Sequence, residues 1–201
     1  MDGRGRLRGL TRLDEVAGRI VRGWEEAHDV ARMDIRDDVP LRHLVRQIEL
    51  PYRKVTEAEV AAARKEAARY ANDPAEVWNY RWHNSVVDRY EKQRTGDIGA
   101  YSMELHVLRL GDVAIATNSF ELVTEYGVRI QARSPAVQTF VIQLTGMGGY
   151  LPTERAVHGG GYSAVVQSSR VGPEGGQVLA DRTVEMIGTL WAGGEPVSNA
   201  Q

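Results

Sequence analysis

Glu121 is the first residue whose type and position suggest a functional site. It follows the apolar segment Val113-Ala-Ile-Ala116, which predicts a strand, and its own spacing predicts the first turn of a helix. Ligands of α/β proteins tend to bind where such strands end. The same spacing permits a structural role, because Asn118 and Glu121 are arranged as in a capping box and a first-turn glutamate suits the helix dipole. Spacing alone favours the capping role.

Two glycine-rich segments carry tyrosines and form the second group of candidates. Gly146-Met-Gly-Gly-Tyr150-Leu-Pro-Thr153 directly follows a predicted strand, and Gly159-Gly-Gly-Tyr162 repeats the pattern twelve residues later. Glycines can let a backbone approach a phosphate, but this is neither a Walker loop nor a G-x-G-x-x-G turn that opens a helix. The simpler interpretation is that the two loops project Tyr150 and Tyr162 toward one place.

Histidines and serines match no catalytic pattern. The five histidines are His28, His43, His83, His106 and His158, and the serines considered are Ser119, Ser163, Ser168 and Ser169. No H-x-H or H-E-x-x-H spacing occurs, so no zinc motif is complete. No serine lies in a G-x-S-x-G elbow, which argues against a serine hydrolase. We interpret each histidine as structural or exposed.

The composition is typical of a globular chain and excludes several functions. The 201 residues are 42% hydrophobic with a formal net charge of −2, which argues against disorder and against a nucleic-acid partner bound by bulk positive charge. No apolar run approaches the roughly 18 residues of a membrane span. Cysteine is absent, so disulfides and thiolate sites are excluded. The first ten residues alternate Arg and Gly and lack the apolar stretch of a signal peptide, and they suggest a ragged start or, less favoured, a basic nucleic-acid arm.

The two halves of the chain differ in charge and in hydrophobic period. Residues 1–100 hold 37 of the 52 charged residues, and residues 101–201 hold 14 of the 21 glycines. This predicts exposed helices first, then strands joined by glycine turns. Helices are predicted over 14–30, 56–70 (opened by a capping box at Thr56) and 75–92, where Val77, Trp78, Trp82 and Val86 form one stripe. A short strand is predicted over 46–52.

The second half alternates strands with helices. Strands are predicted over 103–110 and 113–116, joined at Gly111-Asp112, then over 139–144 as a buried strand, and over 162–166. Helices are predicted from Asn118–Glu121 to about 133 and from 175 to 191. The expected fold class is α/β, a mixed sheet with flanking helices.

One run of the second half resembles a known family. Val107-Leu-Arg-Leu-Gly-Asp-Val-Ala-Ile-Ala-Thr-Asn-Ser-Phe-Glu-Leu-Val-Thr-Glu-Tyr-Gly127 is similar to the neutral/alkaline, non-lysosomal ceramidases and their bacterial relatives. In that family a strand leads to a helix that begins with a zinc-binding Glu. A later G-G-Y motif supplies a zinc-binding Tyr, and a second Tyr follows twelve residues on. Glu121, Tyr150 and Tyr162 match these three in order.

The resemblance implies a fold, a metal and a reaction. It covers roughly residues 12–192, sharply only 105–192, and implies part of a larger catalytic domain. Family members are zinc amidohydrolases that cleave the N-acyl bond of a sphingoid lipid, so Glu121 and Tyr150 are expected to bind Zn²⁺ and Tyr162 to steady the oxyanion. On this basis Glu121 changes from a cap to a metal ligand. Members are often exported, which leaves the compartment undetermined.

Two departures limit what the resemblance implies. The family's zinc also needs two histidines from an N-terminal half of the domain, and the five histidines here match neither motif. The chain therefore corresponds to the C-terminal half, inactive unless a missing N-terminal half or a partner chain completes it. Ser119-Phe120 also replaces a small Pro-Gly or Pro-Ala, and Ser163 an acid. The substrate is then an N-acyl lipid or another amide, not necessarily ceramide.

The expected domain organisation is one ceramidase-like partial domain over 1–201. Residues 1–12 are expected to be disordered, 13–100 mainly helical, 101–192 to carry the site residues, and 193–201 to form a tail. Two other hypotheses stay open. One is a non-catalytic binding or interaction module on the same scaffold, and the other is an unrelated α/β protein whose glycine loops bind an anion or nucleotide.

Overall fold

A computed structural model describes residue 9 and residues 11–193. The expected nucleic-acid arm at 1–10 and the expected tail at 193–201 therefore fall almost entirely outside the described residues. The chain divides into two compact units, Met1–Val39 and Pro40–Gln201. In the first, helix α1 (Arg12–Ala31) begins at a capping box formed by Thr11 and Asp14.

The second unit is built on a mixed four-stranded sheet in the order β1-β2-β3-β5. The strands are β1 (Leu41–Pro51), β2 (Ala100–Leu110), β3 (Val113–Thr117) and β5 (Gln138–Ile142). The first three pair antiparallel and β5 runs parallel to β3. The predicted hairpin at Gly111-Asp112 is present, and Gly111 takes a positive φ of 58° there.

Two very short strands pair beside this sheet. They are β4 (Phe120–Leu122) and β6 (Gly149–Leu151), and they run parallel. Because neither strand is long enough to persist alone, their alignment depends on the loops that precede them. Both strands carry a residue expected to be functional.

Within the described residues, five helices accompany the strands of the second unit, and two of them pack on the larger sheet. They are α2 (Glu57–Tyr70), α3 (Val77–Thr95), α4 (Thr124–Arg133), α5 (Glu154–Gly159) and α6 (Pro173–Trp191), with short 3₁₀ turns at Pro74–Glu76 and Tyr162–Ala164. α6 packs on β1 and β2, α4 packs on α6 and β5, and α2 pairs with α3. None of the described helices is long and apolar enough to cross a bilayer. The fold class is α/β, as the sequence indicates.

The core follows the two-residue period of the strands. Leu44, Val107 and Ala116 form one buried row across β1, β2 and β3 and face α6. A smaller cluster lies between α2 and α3, around Val60 and Val86. The sheet and the helix pair therefore each bury their own apolar face.

Three sequence-based expectations about the second half are wrong in detail. Tyr162–Val166 is not a strand, because its first three residues form a 3₁₀ turn. β5 is not a buried strand, since it lies at the edge of the sheet and Phe140 is exposed. Glu121 does not lie in the first turn of a helix, because α4 begins three residues later, at Thr124.

Asn118 explains why the helix starts late. Its side-chain Oδ1 accepts a hydrogen bond from the backbone N–H of Phe120, at 3.0 Å, so it closes a tight turn and caps no helix. The chain then extends as β4. The capping role considered for Asn118 and Glu121 is therefore wrong, and Glu121 is left with an exposed carboxylate.

Candidate functional site

Glu121 and Tyr150 are directly paired across the two short strands. They are register partners in the parallel pair of β4 and β6, so their side chains lie on the same side of the pair. The negative charge of Glu121, followed by partial burial and the polar interaction with that carboxylate, raises the pKa of the Tyr150 phenol above its ordinary value. Tyr150 is therefore protonated at neutral pH.

Glycines of the 146–149 loop make this pairing possible. A Cβ on Gly148 would lie 2.5 Å from the Phe120 ring, and one on Gly146 would lie 2.8 Å from Ser119 Oγ. The Gly148 N–H donates to the Ser119 carbonyl at 2.9 Å. The loop thus lies directly on Ser119-Phe120, and its glycines serve close packing. Phe120, large where the resembled family has a small residue, is accommodated by the absence of a side chain at Gly148.

Tyr162 reaches the same place from the 3₁₀ turn after α5. Gly160 and Gly161 precede it and have positive φ values, 73° and 104°. Residues other than glycine rarely adopt this backbone conformation, so the two glycines set the direction in which the chain approaches Tyr162. The Tyr162 ring meets the Tyr150 ring edge-on at 5.7 Å between centroids and stacks on Trp82 of α3 at 5.9 Å. The predicted convergence of the two tyrosines is confirmed.

These side chains border one open cavity of about 350 Å³. Glu121, Tyr150 and Tyr162 line it together with Trp82, and we call it the tyrosine cavity. The other lining residues include Leu144, Met147, Gln167, Ser168 and Arg170. Ser168 Oγ lies beneath the cavity wall, buried and without a hydrogen-bond partner among the described residues.

Two arginines, Arg53 (buried) and Arg89 (half-buried), fix the segment that follows Tyr162. Arg53 Nη1 donates to the Ala164 carbonyl and to Ser169 Oγ, both at 2.7 Å. Arg89 donates to the carbonyls of Val166 and Ser169. Burial first, then the positive charges of Arg53 and Arg170, lower the pKa of Arg89 to about 10, so its guanidinium remains charged at neutral pH. Together the two side chains hold a loop that has little regular structure.

Sequence analysis missed several residues of this site. Arg53 and Arg89 lie far along the chain from the segment they hold, and no motif marks them. Trp82 was assigned to a single helical stripe with Trp78 and Val86, but only Val86 is buried, and Trp78 is 77% exposed. The sequence did contain one signal of an open groove. The predicted helix places arginine beside tryptophan on the same stripe, and a fully buried helix face would not carry arginine.

The histidines lie elsewhere than the tyrosine cavity. His43 and His106 meet on the outer face of the sheet, with Nε2 and Nδ1 3.1 Å apart. His83 lies next to Tyr70 and Gln167, His158 donates from Nδ1 to the Glu154 carbonyl, and His28 stacks on Trp24 within α1. Across residue 9 and residues 11–193, no three His, Cys, Asp or Glu side chains are grouped closely enough to hold a metal ion.

Comparisons with known proteins give two distant matches. No protein family matches the sequence, and no curated protein sequence matches it. Two solved structures are similar, a neutral ceramidase from Pseudomonas aeruginosa and a ceramidase complexed with C2. For each, the identity is 17%, the TM-score is 0.43 and 50% of this chain is covered. The matched region spans 17% of the first protein and 16% of the second.

Proposed function

We propose that residues 40–193 form one part of the active site of a ceramidase-type amidohydrolase, which cleaves an N-acyl amide bond of a sphingolipid-like substrate. The observation that carries the proposal is the meeting of Glu121, Tyr150 and Tyr162 in one cavity. Their order and spacing resemble the family motifs. The pairing of β4 with β6 brings Glu121 to Tyr150, and a separate segment brings the Tyr162 ring against Tyr150.

The donor set fits a zinc ion only in part. Zinc in proteins is held by three or four nitrogen, sulfur or oxygen ligands. Glu121 and Tyr150 supply a carboxylate and a phenol, and the described residues bring no third His, Cys, Asp or Glu to them. Two oxygen ligands do not make a zinc site. The proposal therefore includes a second polypeptide, or a further part of the same one, that contributes histidines to the tyrosine cavity.

The chain's own residues have separable roles in this proposal. Glu121 lies directly across from Tyr150, and its negative charge keeps the proton on that phenol. The Tyr162 ring is held between Tyr150 and Trp82, and its side chain is 66% exposed at the cavity mouth. A hydroxyl presented in this way can donate to the oxygen of a bound amide as negative charge develops on it.

The cavity wall suits an acyl chain. Leu144 and Met147 line it and are 61% and 92% exposed. Leu144 also has a φ of 60°, a left-handed conformation that costs energy for a residue with a branched side chain. An exposed apolar side chain held in a strained backbone is typical of a binding surface. This supports a substrate with a hydrocarbon part.

The test is hydrolysis by the completed protein. The chain is produced together with the reading frame that precedes it, as one polypeptide or two, and assayed with a fluorogenic N-acyl sphingosine analogue. We expect hydrolysis that needs zinc and is lost in Tyr162→Phe and Glu121→Gln, with Tyr80→Phe, which is outside the cavity, as the control. Zinc binding without any hydrolysis would favour the non-catalytic binding module. The absence of both zinc binding and hydrolysis would refute the proposal.

A further inference from the structure

A second groove adjoins the tyrosine cavity, and its charge has no role in amide cleavage. Its volume is about 440 Å³, and one wall is α3 while the other is the segment that follows Tyr162. Among the residues that the structure describes, four cationic side chains line it, and Asp88 is the one carboxylate that does. These four are Arg81, Arg89, Lys92 and Arg170, and we call the groove the arginine groove.

α3 presents its groove residues at helical spacing. Trp78, Arg81, Ser85, Arg89 and Lys92 recur every three or four positions, so they lie on one face of the helix. At about 1.5 Å per residue, this face extends roughly 20 Å along the groove. This face is unusual for a surface helix, because its exposed cations, Arg81 and Lys92, stand beside an exposed tryptophan, Trp78, and not opposite carboxylates.

The positive charge is not balanced by the protein. Arg81, Lys92 and Arg170 form no ion pair with any carboxylate in the described part of the chain. Asp88 already accepts hydrogen bonds from the Asn84 amide, at 3.2 and 3.3 Å. Surface arginines elsewhere in this protein are commonly paired, as Arg182 is with Glu185. Arg42 and Lys65 also lack an ion pair within the described residues, so the groove is distinguished by the grouping of several such cations around one cavity.

The interior side of the groove adds to this excess. The positive charges of Arg53 and Arg170 lie close enough to Arg89 to lower the pKa of its guanidinium. Arg53 itself is paired with the carboxylate of Glu59. Arg89 Nε is buried and has no hydrogen-bond partner in the described residues. Like charges held this close destabilise the fold unless an anion is nearby.

The two cavities adjoin each other. Trp82, Gln167 and Arg170 line both the arginine groove and the tyrosine cavity. A ligand that extends from one to the other would pass along the half-buried ring of Trp82. We propose that the arginine groove binds the phosphate or sulfate group of an amphiphilic ligand whose apolar part lies along Trp78 and Trp82 and enters the tyrosine cavity. That this ligand is the substrate rests on the proposed function, but the anion site does not.

A tetrahedral oxyanion suits this groove better than a single carboxylate. Arg81 and Lys92 lie on α3 and Arg170 on the facing wall, so donors approach from two sides. Phosphate and sulfate offer acceptor oxygens in all directions, and arginine binds them with two parallel hydrogen bonds. The nearby tryptophans supply an apolar surface next to the charge, as a head group attached to a hydrocarbon requires.

Calorimetric titration without metal tests the site directly. The ligands are inorganic phosphate, inorganic sulfate, a short-chain lysophosphatidic acid below its micelle concentration, and a monoacylglycerol of the same chain length. We expect the two inorganic anions to bind weakly and the lysophosphatidic acid to bind at least tenfold more tightly, with no detectable binding of the neutral lipid. Arg170→Gln and Lys92→Gln should each weaken the binding of phosphate and lysophosphatidic acid about tenfold.

Matched variants outside the groove serve as controls. Arg42→Gln on β1 and Lys65→Gln on α2 remove the same charges from exposed positions that line neither cavity, and should leave the affinities unchanged. The proposal is wrong if the groove variants bind as the controls do, or if the neutral lipid binds as well as the charged one. If inorganic anions bind but the lipid shows no gain, the anion site stands and its link to the tyrosine cavity fails. Since no hydrolysis is measured, the result is independent of the proposed reaction.

Discussion

Tyr150 lies directly across from Glu121, its register partner in the pair of β4 and β6, and the charge of that carboxylate raises the pKa of the Tyr150 phenol. The contact couples the protonation of one group to the charge of the other. As long as Glu121 is negative, the tyrosinate form of Tyr150 is disfavoured, so a phenolate at this position needs a cation nearby. The Tyr150 phenol therefore stays protonated and neutral until a cation binds next to it.

Neutralising Glu121 should lower the pKa of Tyr150. In Glu121→Gln the carboxylate charge is gone while an acceptor oxygen of similar size remains, so the tyrosinate forms at a lower pH than in the wild-type chain. The measurement is an NMR titration of ¹³Cζ-labelled tyrosine. Tyr126, whose pKa is raised to about 12 mainly by burial, is the internal reference and should not move.

Glu185→Gln is the control for this titration, because Glu185 pairs with Arg46 and Arg182 on the surface and not with a tyrosine. An unchanged Tyr150 resonance in Glu121→Gln would mean that the two side chains do not interact in solution. A shift of Tyr150 in both variants would indicate a general change in net charge.

A methyl group at Gly148 should separate β6 from β4. In Gly148→Ala the new Cβ meets the Phe120 ring at 2.5 Å, inside van der Waals contact, and neither the ring nor the loop backbone can yield without displacing Tyr150. We expect a loss of about 1–3 kcal/mol in the free energy of unfolding. Urea denaturation measures the loss, and the Tyr150 pKa should fall toward its ordinary value because the Glu121 contact is disturbed.

Gly159→Ala is the matched control, since a Cβ there meets no atom within 4 Å and the residue has no positive φ. Combining Gly148→Ala with Phe120→Leu should recover part of the stability by making room for the methyl group. If the double variant is no better than Gly148→Ala alone, crowding against Phe120 is not the cause.

Removing the Arg53 guanidinium should loosen the segment after Tyr162. Arg53→Met keeps the apolar part of the side chain but leaves the Ala164 carbonyl and Ser169 Oγ without their donor, and leaves Glu59 without its partner. Losing a buried charged donor costs about 2–4 kcal/mol. Urea denaturation should show this loss, and hydrogen exchange should become faster in residues 162–169.

Arg182→Met is the comparison, because its ion pair with Glu185 is exposed and such pairs contribute roughly 1 kcal/mol or less. Equal effects of the two substitutions would contradict the role of Arg53 as the residue that fixes this segment. Arg53→Lys should recover only part of the stability, since one ammonium group cannot reproduce the fork of donors.

Two local signals in the sequence predicted local structure correctly. The capping box of Thr56 and Glu59 opens α2 as expected, and Gly111-Asp112 forms the hairpin between β2 and β3. Both features involve residues within a few positions of each other, where turn and cap chemistry decide the backbone. The glycines before Tyr150 and Tyr162 are also local signals, since they set the backbone immediately before each tyrosine.

Features that depend on distant contacts were not predictable in the same way. Glu121 is in a strand because β4 pairs with β6, a segment that comes later in the chain. A strand of three residues is also too short to show the two-residue hydrophobic period in the sequence. Arg53 and Arg89 act on a loop more than seventy residues away, so their burial could not be read from a charge-rich helical half. The resemblance to a family named Glu121, Tyr150 and Tyr162, and the contacts that align them required the structure.

Zinc binding by this chain alone should be weak at the tyrosine cavity. Glu121 and Tyr150 supply two ligands, and Tyr150 must also lose a proton whose pKa its partner raises. Any binding there should release a proton and strengthen as the pH rises, which calorimetry in buffers of different ionisation enthalpy detects. His43→Ala with His106→Ala provides the background, because these rings meet on the outer face of the sheet and can bind zinc independently. Stoichiometric binding at micromolar affinity in that double variant, abolished by Glu121→Ala or Tyr150→Phe, would show that the described residues complete the site without another polypeptide.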